Sequence, residues 1–454
     1  MTTDFTQGRV SRVILAFSLP LLMSTALQQF YNIADSMIVG RFAGTVSLAA
    51  VGAAYPITLF FVAVATGASM GCSVVVSALF GAREMNGLRQ AIFTSLLSFA
   101  LLGAALAAAG ALLSGALMHL INAQDEIFAT ARTYLIIYSL GVFPMLIYNA
   151  ATGIFTGLGD AKLPFWLLLI SSLLNVVLDY IAVRHMGLGV AGAAWATALS
   201  QFVAAALSLL FMYRRIRTLL PSGGGQRFSL SILRNIISAS VPCIMQQGSV
   251  ALGHTIMQSI LNTYDTAIIA GYEAASKLHN VAYMGMNTIG NALSTFTAQC
   301  CGAKRYDRVR EGFRVSLVIC GIFAVFVILL FALLPRQLVG LFMETGASEL
   351  AYEAGVNYLR IIGPLYSIIT LIITAGGLMR GTGHSMTFFI ETVTEFAVRI
   401  AMCYVLTAAI SSYTGLYWAW YFGSSSGFLM CLILSIRIIR SLPRTSERLP
   451  DGER

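Results

Sequence analysis

Charge is what this 454-residue sequence has least of: Asp, Glu, Lys and Arg make up 10% of it, where soluble domains carry roughly 25%. Apolar types reach 57%. That many cannot be hidden in one water-soluble core, because single cores stop growing near about 250–300 residues. Lipid must be the missing solvent. Cysteine is sparse as well, with seven (Cys72, Cys243, Cys300, Cys301, Cys320, Cys403 and Cys431) and no Cys-x-x-Cys spacing. This excludes a disulfide scaffold and leaves small core residues. The five His (His119, His185, His254, His279 and His384) are dispersed without metal-ligand spacing, so zinc chemistry is not supported. A Walker A sequence is missing, which argues against ATP as a direct drive. Gly187-x-Gly189-x-x-Gly192 has no strand before it, and Gly67-Ala68-Ser69-Met70-Gly71 sits inside an apolar run; both fail as nucleotide or nucleophile motifs on context. An integral membrane enzyme needs clustered His or Asp at one interface, and there is none, so the chain is expected not to be an enzyme and to hold no cofactor. No Asn-x-Ser/Thr sequon occurs, which with the short loops fits a prokaryotic inner (plasma) membrane.

Runs of about 20 apolar residues cross a bilayer core of about 30 Å. Cutting the chain wherever charges, Gly, Pro or Asn interrupt such runs gives twelve segments: 13–39, 47–80, 91–118, 128–156, 163–184, 190–213, 235–263, 266–300, 314–334, 350–378, 385–410 and 413–439. The first run is too long for a removable signal and is read as helix one. The net charge of +9 arises from Lys and Arg at the ends of these runs, not from one basic face with interleaved aromatics, so no nucleic acid is expected as a partner. With both termini cytoplasmic, the internal loops collect most basic residues, Arg83, Arg89, Arg214, Arg215, Lys304, Arg308 and Arg437 among them, and the outer loops hold Arg41, Arg184 and Arg336. The positive-inside rule sets that orientation.

The second half echoes the first. Ser18-Leu19-Pro20 pairs with Ser240-Val241-Pro242, Gly81-Ala82-Arg83 with Gly302-Ala303-Lys304, Tyr138 and Pro144 with Tyr358 and Pro364, and Gly157-Leu158-Gly159-Asp160 with Gly381-Thr382-Gly383-His384. Six helices per half is an even number, so the copies enter the membrane in the same sense, as a parallel repeat. The expected organisation is an all-α integral membrane protein: an N-terminal six-helix lobe (1–213), a cytoplasmic linker (214–234) with the flexible Pro221-Ser222-Gly223-Gly224-Gly225, a C-terminal six-helix lobe (235–440) and a cytoplasmic tail (441–454). Two lobes around a central cleft suit alternating access.

Ionisable groups deep in a bilayer cost a few kcal/mol or more (roughly 2.5–3.5 at the centre) and are functional candidates by default. In the first half, Gln28, Asn32 and Asp35 share one face of helix one. Asn175 with Asp179, and Thr197 with Gln201, are four apart on helices five and six. Asp35, Asn175, Asp179 and Thr197 together offer two carboxylates, an amide oxygen and a hydroxyl. That is a ligand set for a hard monovalent cation, and two carboxylates that close cannot both stay charged without a sodium ion or a proton. The plainer alternative is that Asp35 caps a helix and Asn175 with Asp179 bonds neighbouring helices. Pro20 is a candidate hinge, because it frees a carbonyl in helix one. In the second half, Glu273 and Lys277, and then Glu391, Glu395 and Arg399, follow at spacings of four. Arg399 and Cys403 stand at the repeat positions of Asn175 and Asp179, so the first site is not duplicated. Lys277, Glu395 and Arg399 read as a structural ion-pair network, and Glu273 or Glu391 as an acid that faces the cleft. Tyr31, Tyr138 and Tyr283 are candidate cleft aromatics.

The chain resembles the multidrug and toxic compound extrusion (MATE) transporters over nearly its whole length. The resemblance rests on Ser18-Leu19-Pro20 with Gln28 and Asp35, on the stretch from Ala50 to Pro56, on that from Gly153 to Asp160, and above all on Asn175-Val176-Val177-Leu178-Asp179 followed by Gly187 to Ala194. It implies a twelve-helix, V-shaped antiporter that expels organic cations against entering sodium ions or protons; the chain is expected to work as a monomer in a lipid bilayer on small organic, cationic substrates. It also implies that Asp35, Asn175, Asp179 and Thr197 match the first-lobe cation site in the pattern of the DinF-like branch, and that Pro20 matches the proline where helix one bends. A lipid-linked oligosaccharide flippase shares the two-lobe architecture and is the alternative, but it needs a strongly cationic cleft, whereas the ionisable residues inside the membrane in the first half are acidic.

Overall fold

The computed structural model describes residues 3–219, 228–343, 348–410 and 412–443, and among these all regular structure is helical. Twelve long segments follow in order: α1 (Val10–Phe42), α2 (Thr45–Gly81), α3 (Met85–Leu112), α4 (Asp125–Gly157), α5 (Lys162–Asp179), α6 (Gly189–Leu219), α7 (Leu230–Leu261), α8 (Thr266–Gly302), α9 (Tyr306–Leu333), α10 (Glu349–Gly381), α11 (Ser385–Ile410) and α12 (Thr414–Ser441). Short helices Ser114–Leu120 and Pro335–Gly340 follow α3 and α9. Eleven of the twelve are long and apolar enough to cross a bilayer; α8 has the length, 37 residues, but carries Glu273 and Lys277 within its first half. Large apolar side chains stand exposed, such as Phe30 and Met37 on α1 and Ile322, Phe326 and Leu333 on α9. Water would penalise such a surface, and lipid does not.

Helices outrun the apolar windows that mark them in sequence. α9 begins at Tyr306 and not at 314, because Arg308, Arg310 and Arg314 interrupt hydrophobicity without interrupting backbone hydrogen bonding. The expected third span, 91–118, is instead two helices, α3 and Ser114–Leu120. The connector expected over 214–234 is helical at both ends, since α6 runs to Leu219 and α7 starts at Leu230. Pro221 to Gly225 and the tail beyond Pro443 lie outside the described residues.

The chain divides into two compact units, one comprising Leu19–Ile244 with the first residues of the chain, the other Phe5–Ser18 with Met245 onward. The division falls inside α1 and α7, next to Pro20 and Pro242. Within the first unit the early part of α7 packs on α2. A Cβ on Gly67 would lie 2.5 Å from the Ile244 Cα, and one on Gly71 would lie 2.4 Å from Ser240 backbone atoms. Ser240 Oγ also donates to Ala68 O at 3.1 Å. The Gly67-x-x-x-Gly71 pair is thus a helix-crossing device of the small-residue kind. Within the second unit Phe5 is fully buried against Phe17 and Phe296. Arg308 holds the segment by donating to Phe5 O, Gly8 O and Gln7 O at 2.9–3.0 Å.

The repeat is visible in backbone detail. α2 and α8 end at Arg83 and Lys304, non-glycine residues with φ of 57° and 55°. α4 and α10 end on Gly159 and Gly383, with φ of 78° and 83°. In each case the amide one residue on bonds back five residues, Glu84 to Leu79, Arg305 to Cys300, Asp160 to Phe155 and His384 to Met379, which closes the helix with a left-handed cap. Helix crossings repeat too. Gly153 and Gly157 of α4 abut Ser69 and Ser73 of α2, and Gly377 and Gly381 of α10 abut Gly290 and Ser294 of α8. One paired position differs: α4 runs unbroken through Pro144, while α10 is interrupted by a 3-10 turn at Gly363–Leu365. Glycine before the proline removes the side-chain packing that would hold a continuous helix.

Candidate functional site

In the first unit, α1, α2, α4, α5 and α6 enclose a cavity of about 90 Å³. Its lining includes Gln28 and Tyr31 from α1, Tyr138 from α4, Asn175 from α5 and Thr197 and Gln201 from α6. Six of the residues singled out in the sequence therefore converge on one space. Asn175 is 2% exposed, and its Nδ2 donates to Thr197 Oγ1 at 3.5 Å. Asp179, one helical turn further along α5, is 0% exposed. Asp35 lies beside it, the two carboxyl groups within hydrogen-bonding reach once one of them carries a proton. At Asp179 the helix opens into a wider π-helical stretch, Tyr180–His185, with Met186 N bonding back to Ile181 O. Such widened turns recur at functional positions.

Oxygen atoms here lack donors. Asp35 Oδ1, both carboxylate oxygens of Asp179, Asn175 Oδ1 and Gln201 Oε1 are buried with no hydrogen-bond partner. Two neighbouring carboxylates without donors are costly in a low-dielectric interior, by several kcal/mol per ion. The chemistry that removes the cost is a proton on one of them or a cation between them. The geometry runs against the helix-cap alternative, since a capping Asp would accept from backbone amides. Asn32, expected on the same face, is exposed and lies outside the cavity lining. Tyr148, Asn149, Ser171 and Ser172 line the cavity and escaped the sequence reading. Ser171 stands four residues before Asn175, so continuing the same-face spacing back along α5 could have found it.

The second unit holds its own cavity, about 70 Å³, lined among others by His279, Tyr283, Glu391, Glu395, Arg399 and Trp420. Arg399 and Glu395 form a buried ion pair, with Ser424 Oγ donating to the same Glu395 oxygen at 3.2 Å. The guanidinium also stacks over Trp420 at 3.8 Å. Lys277 does not belong to this network. It is exposed, with its ammonium 5.6 Å from the Phe342 ring, because its long stem carries the charge outward from α8. Glu273, half-buried on α8, lies outside the lining of both cavities. Cys403, at the repeat position of Asp179, is buried with its thiol 3.2 Å from Met257 Sδ. The second unit therefore replaces the first unit's carboxylate with a sulfur contact. Among the described residues no group of three or more His, Cys, Asp or Glu is arranged to hold a metal ion.

Known proteins share this framework. The chain is 26% identical over 350 residues to the probable multidrug resistance protein YoeA of Bacillus subtilis, covering 76% of each chain. It is 24% identical over 412 residues to the probable multidrug resistance protein YpnP of the same organism, covering 91% of each. A crystal structure of MATE in complex with MaL6 superposes with a TM-score of 0.91 at 22% identity, over 98% of this chain and 99% of the other. The MatE family model matches twice, at residues 20–181 and 242–405, each match starting on one of the repeat-paired prolines. This chain, a multi-pass membrane protein of two six-helix repeats, therefore belongs to the MatE family of membrane transporters.

Proposed function

We propose that the chain is an ion-coupled antiporter that exports small organic cations by alternating access. The observation that carries this reading is the set of buried, donor-free oxygens of Asp35, Asn175 and Asp179 beside Thr197. A sodium ion or proton entering there cancels the repulsion between the carboxylates. A positively charged substrate in the adjoining cavity, against Gln28, Tyr31, Tyr138 and Gln201, competes for the same negative charge. The two ligands then favour different states, which is what coupling requires. The names of the relatives, multidrug resistance proteins, support a broad substrate range. Pro20, next to the division within α1, is the proposed hinge. We place both termini on the cytoplasmic side of a prokaryotic plasma membrane, with the transporter working as a monomer. Among the described residues that line the first cavity there is no Lys or Arg, which disfavours a diphosphate-linked glycolipid as cargo.

The test is efflux of a panel of cationic dyes from sealed vesicles, with sodium and proton gradients imposed separately. Uphill dye export driven by one of the gradients supports the reading. Export that ignores both gradients contradicts it.

A further inference from the structure

We propose that Arg41 and Arg184, in the first unit, form a binding site for the phosphate of an anionic phospholipid. Arg41 and Phe42 close α1, and Arg184 lies near the end of the π-helical stretch that follows Asp179 on α5. Both guanidiniums meet one ring: that of Arg184 lies 4.8 Å and that of Arg41 5.9 Å from the centre of Phe42. Arg184 also stands 5.8 Å from the Tyr180 ring, which meets Phe42 edge-on at 6.0 Å. Aromatic faces orient the two cations without neutralising them. Among the described residues neither guanidinium has an ion-pair or hydrogen-bond partner. Arg336, the third basic residue of the expected outer loops, does have one, since it donates to both carboxylate oxygens of Glu349.

Two like charges gathered on one ring repel each other, and the C-terminal carbonyls of the two helices offer only about half a negative charge each. An anion from outside the chain completes the balance. Phosphate suits guanidinium, whose planar fork donates two parallel N–H bonds to its oxygens. The surface leading to the arginines favours a lipid over a soluble ion. On α1, Phe30, Ile33 and Met37 are 58–71% exposed and stand on the side of the helix that ends in Arg41. On α5, Leu173, Val177 and Ile181 are exposed at spacings of four on the way to Arg184. Acyl chains can lie along both apolar stripes while the headgroup sits at their charged ends. A Cβ on Gly44 or Gly187, in the turns that follow the two arginines, would meet nothing within 4 Å, so these turns leave room for a headgroup. A zwitterionic lipid fits less well, because its ammonium would approach two guanidiniums, and the aromatic faces that could hold it are already taken by them. The bound phosphate ties together the ends of the two helices that carry Asp35 and Asp179.

Native mass spectrometry of the purified full chain, with phosphatidylglycerol or phosphatidylcholine added, tests this without any transport assay, so its failure is separate from failure of the export reading. The wild type should retain phosphatidylglycerol in preference to phosphatidylcholine. Arg41→Gln/Arg184→Gln should weaken that retention about 25-fold, at about fivefold for each arginine. Arg336→Gln, which removes an arginine already paired, should retain phosphatidylglycerol as the wild type does. Undiminished retention by the double variant, equal retention of both lipids by the wild type, or an equal loss in Arg336→Gln overturns the site. Displacement of phosphatidylglycerol by millimolar inorganic phosphate overturns the lipid as the source of the anion. Should the double variant fail to fold, the wild type is treated with phosphatidylglycerol carrying a photoreactive headgroup: adducts within residues 37–44 and 180–188 support the site, and adducts confined to other segments overturn it.

Discussion

Asp179 carries a heavy electrostatic burden, since its carboxylate is wholly buried and both oxygens lack donors. Asp179→Asn keeps the shape but removes the charge that a cation would neutralise. Gradient-driven efflux should fall by about tenfold or more, and so should that of Asp35→Asn, because the two acids act as a unit and their losses do not add. Thr197→Val removes one neutral oxygen ligand, worth about 1 kcal/mol, and should raise the ion concentration that half-activates efflux by about fivefold while leaving the maximal rate near wild type. These residues were legible in the sequence because a carboxylate in an apolar run is conspicuous and helical spacing shows which neighbours share its face. Tyr148 and Asn149 were not, because a hydroxyl or amide among aromatics on α4 stands out from no background.

Among the elements, helix crossings rest on backbone contact where a side chain has no room. Gly71→Val and Gly377→Val each push atoms into the backbone of a neighbouring helix, and overpacking of this kind costs roughly 1–3 kcal/mol. Thermal unfolding followed by fluorescence should shift down for both, while Gly321→Ala, which meets nothing within 4 Å, should leave it unchanged. Arg308→Ala removes three hydrogen bonds to carbonyls of the N-terminal segment and leaves Phe5 held by its amide bond to Gln299 Oε1 and the weak Cys300 thiol contact. Hydrogen exchange at residues 5–8 should accelerate, and Arg308→Lys should restore little, since one ammonium cannot reproduce the planar fork. The number of spans was readable from hydrophobic runs. Their ends were not, because helices such as α9 continue into charged residues that the bilayer core excludes but the helix tolerates.

Across the molecule the same six-helix plan is used twice with different electrostatics. Left-handed caps and glycine crossings repeat, while the acid–amide pair of α5 becomes an arginine and a thiol on α11. The repeat was legible from short matches because those residues terminate helices and let them touch. The second unit's ion pair was legible in part, through Glu395 and Arg399. Lys277 was misplaced because spacing gives a shared face without saying which way that face is turned. The central claim is that arrival of a substrate cation expels an ion held by Asp35 and Asp179. Its most direct test is ion flux in vesicles with no imposed sodium or proton gradient. A substrate gradient alone should drive sodium or protons the opposite way in the wild type, and Asp179→Asn should abolish that counterflow. Substrate that equilibrates without ion movement, or counterflow that persists undiminished in Asp179→Asn, would contradict it.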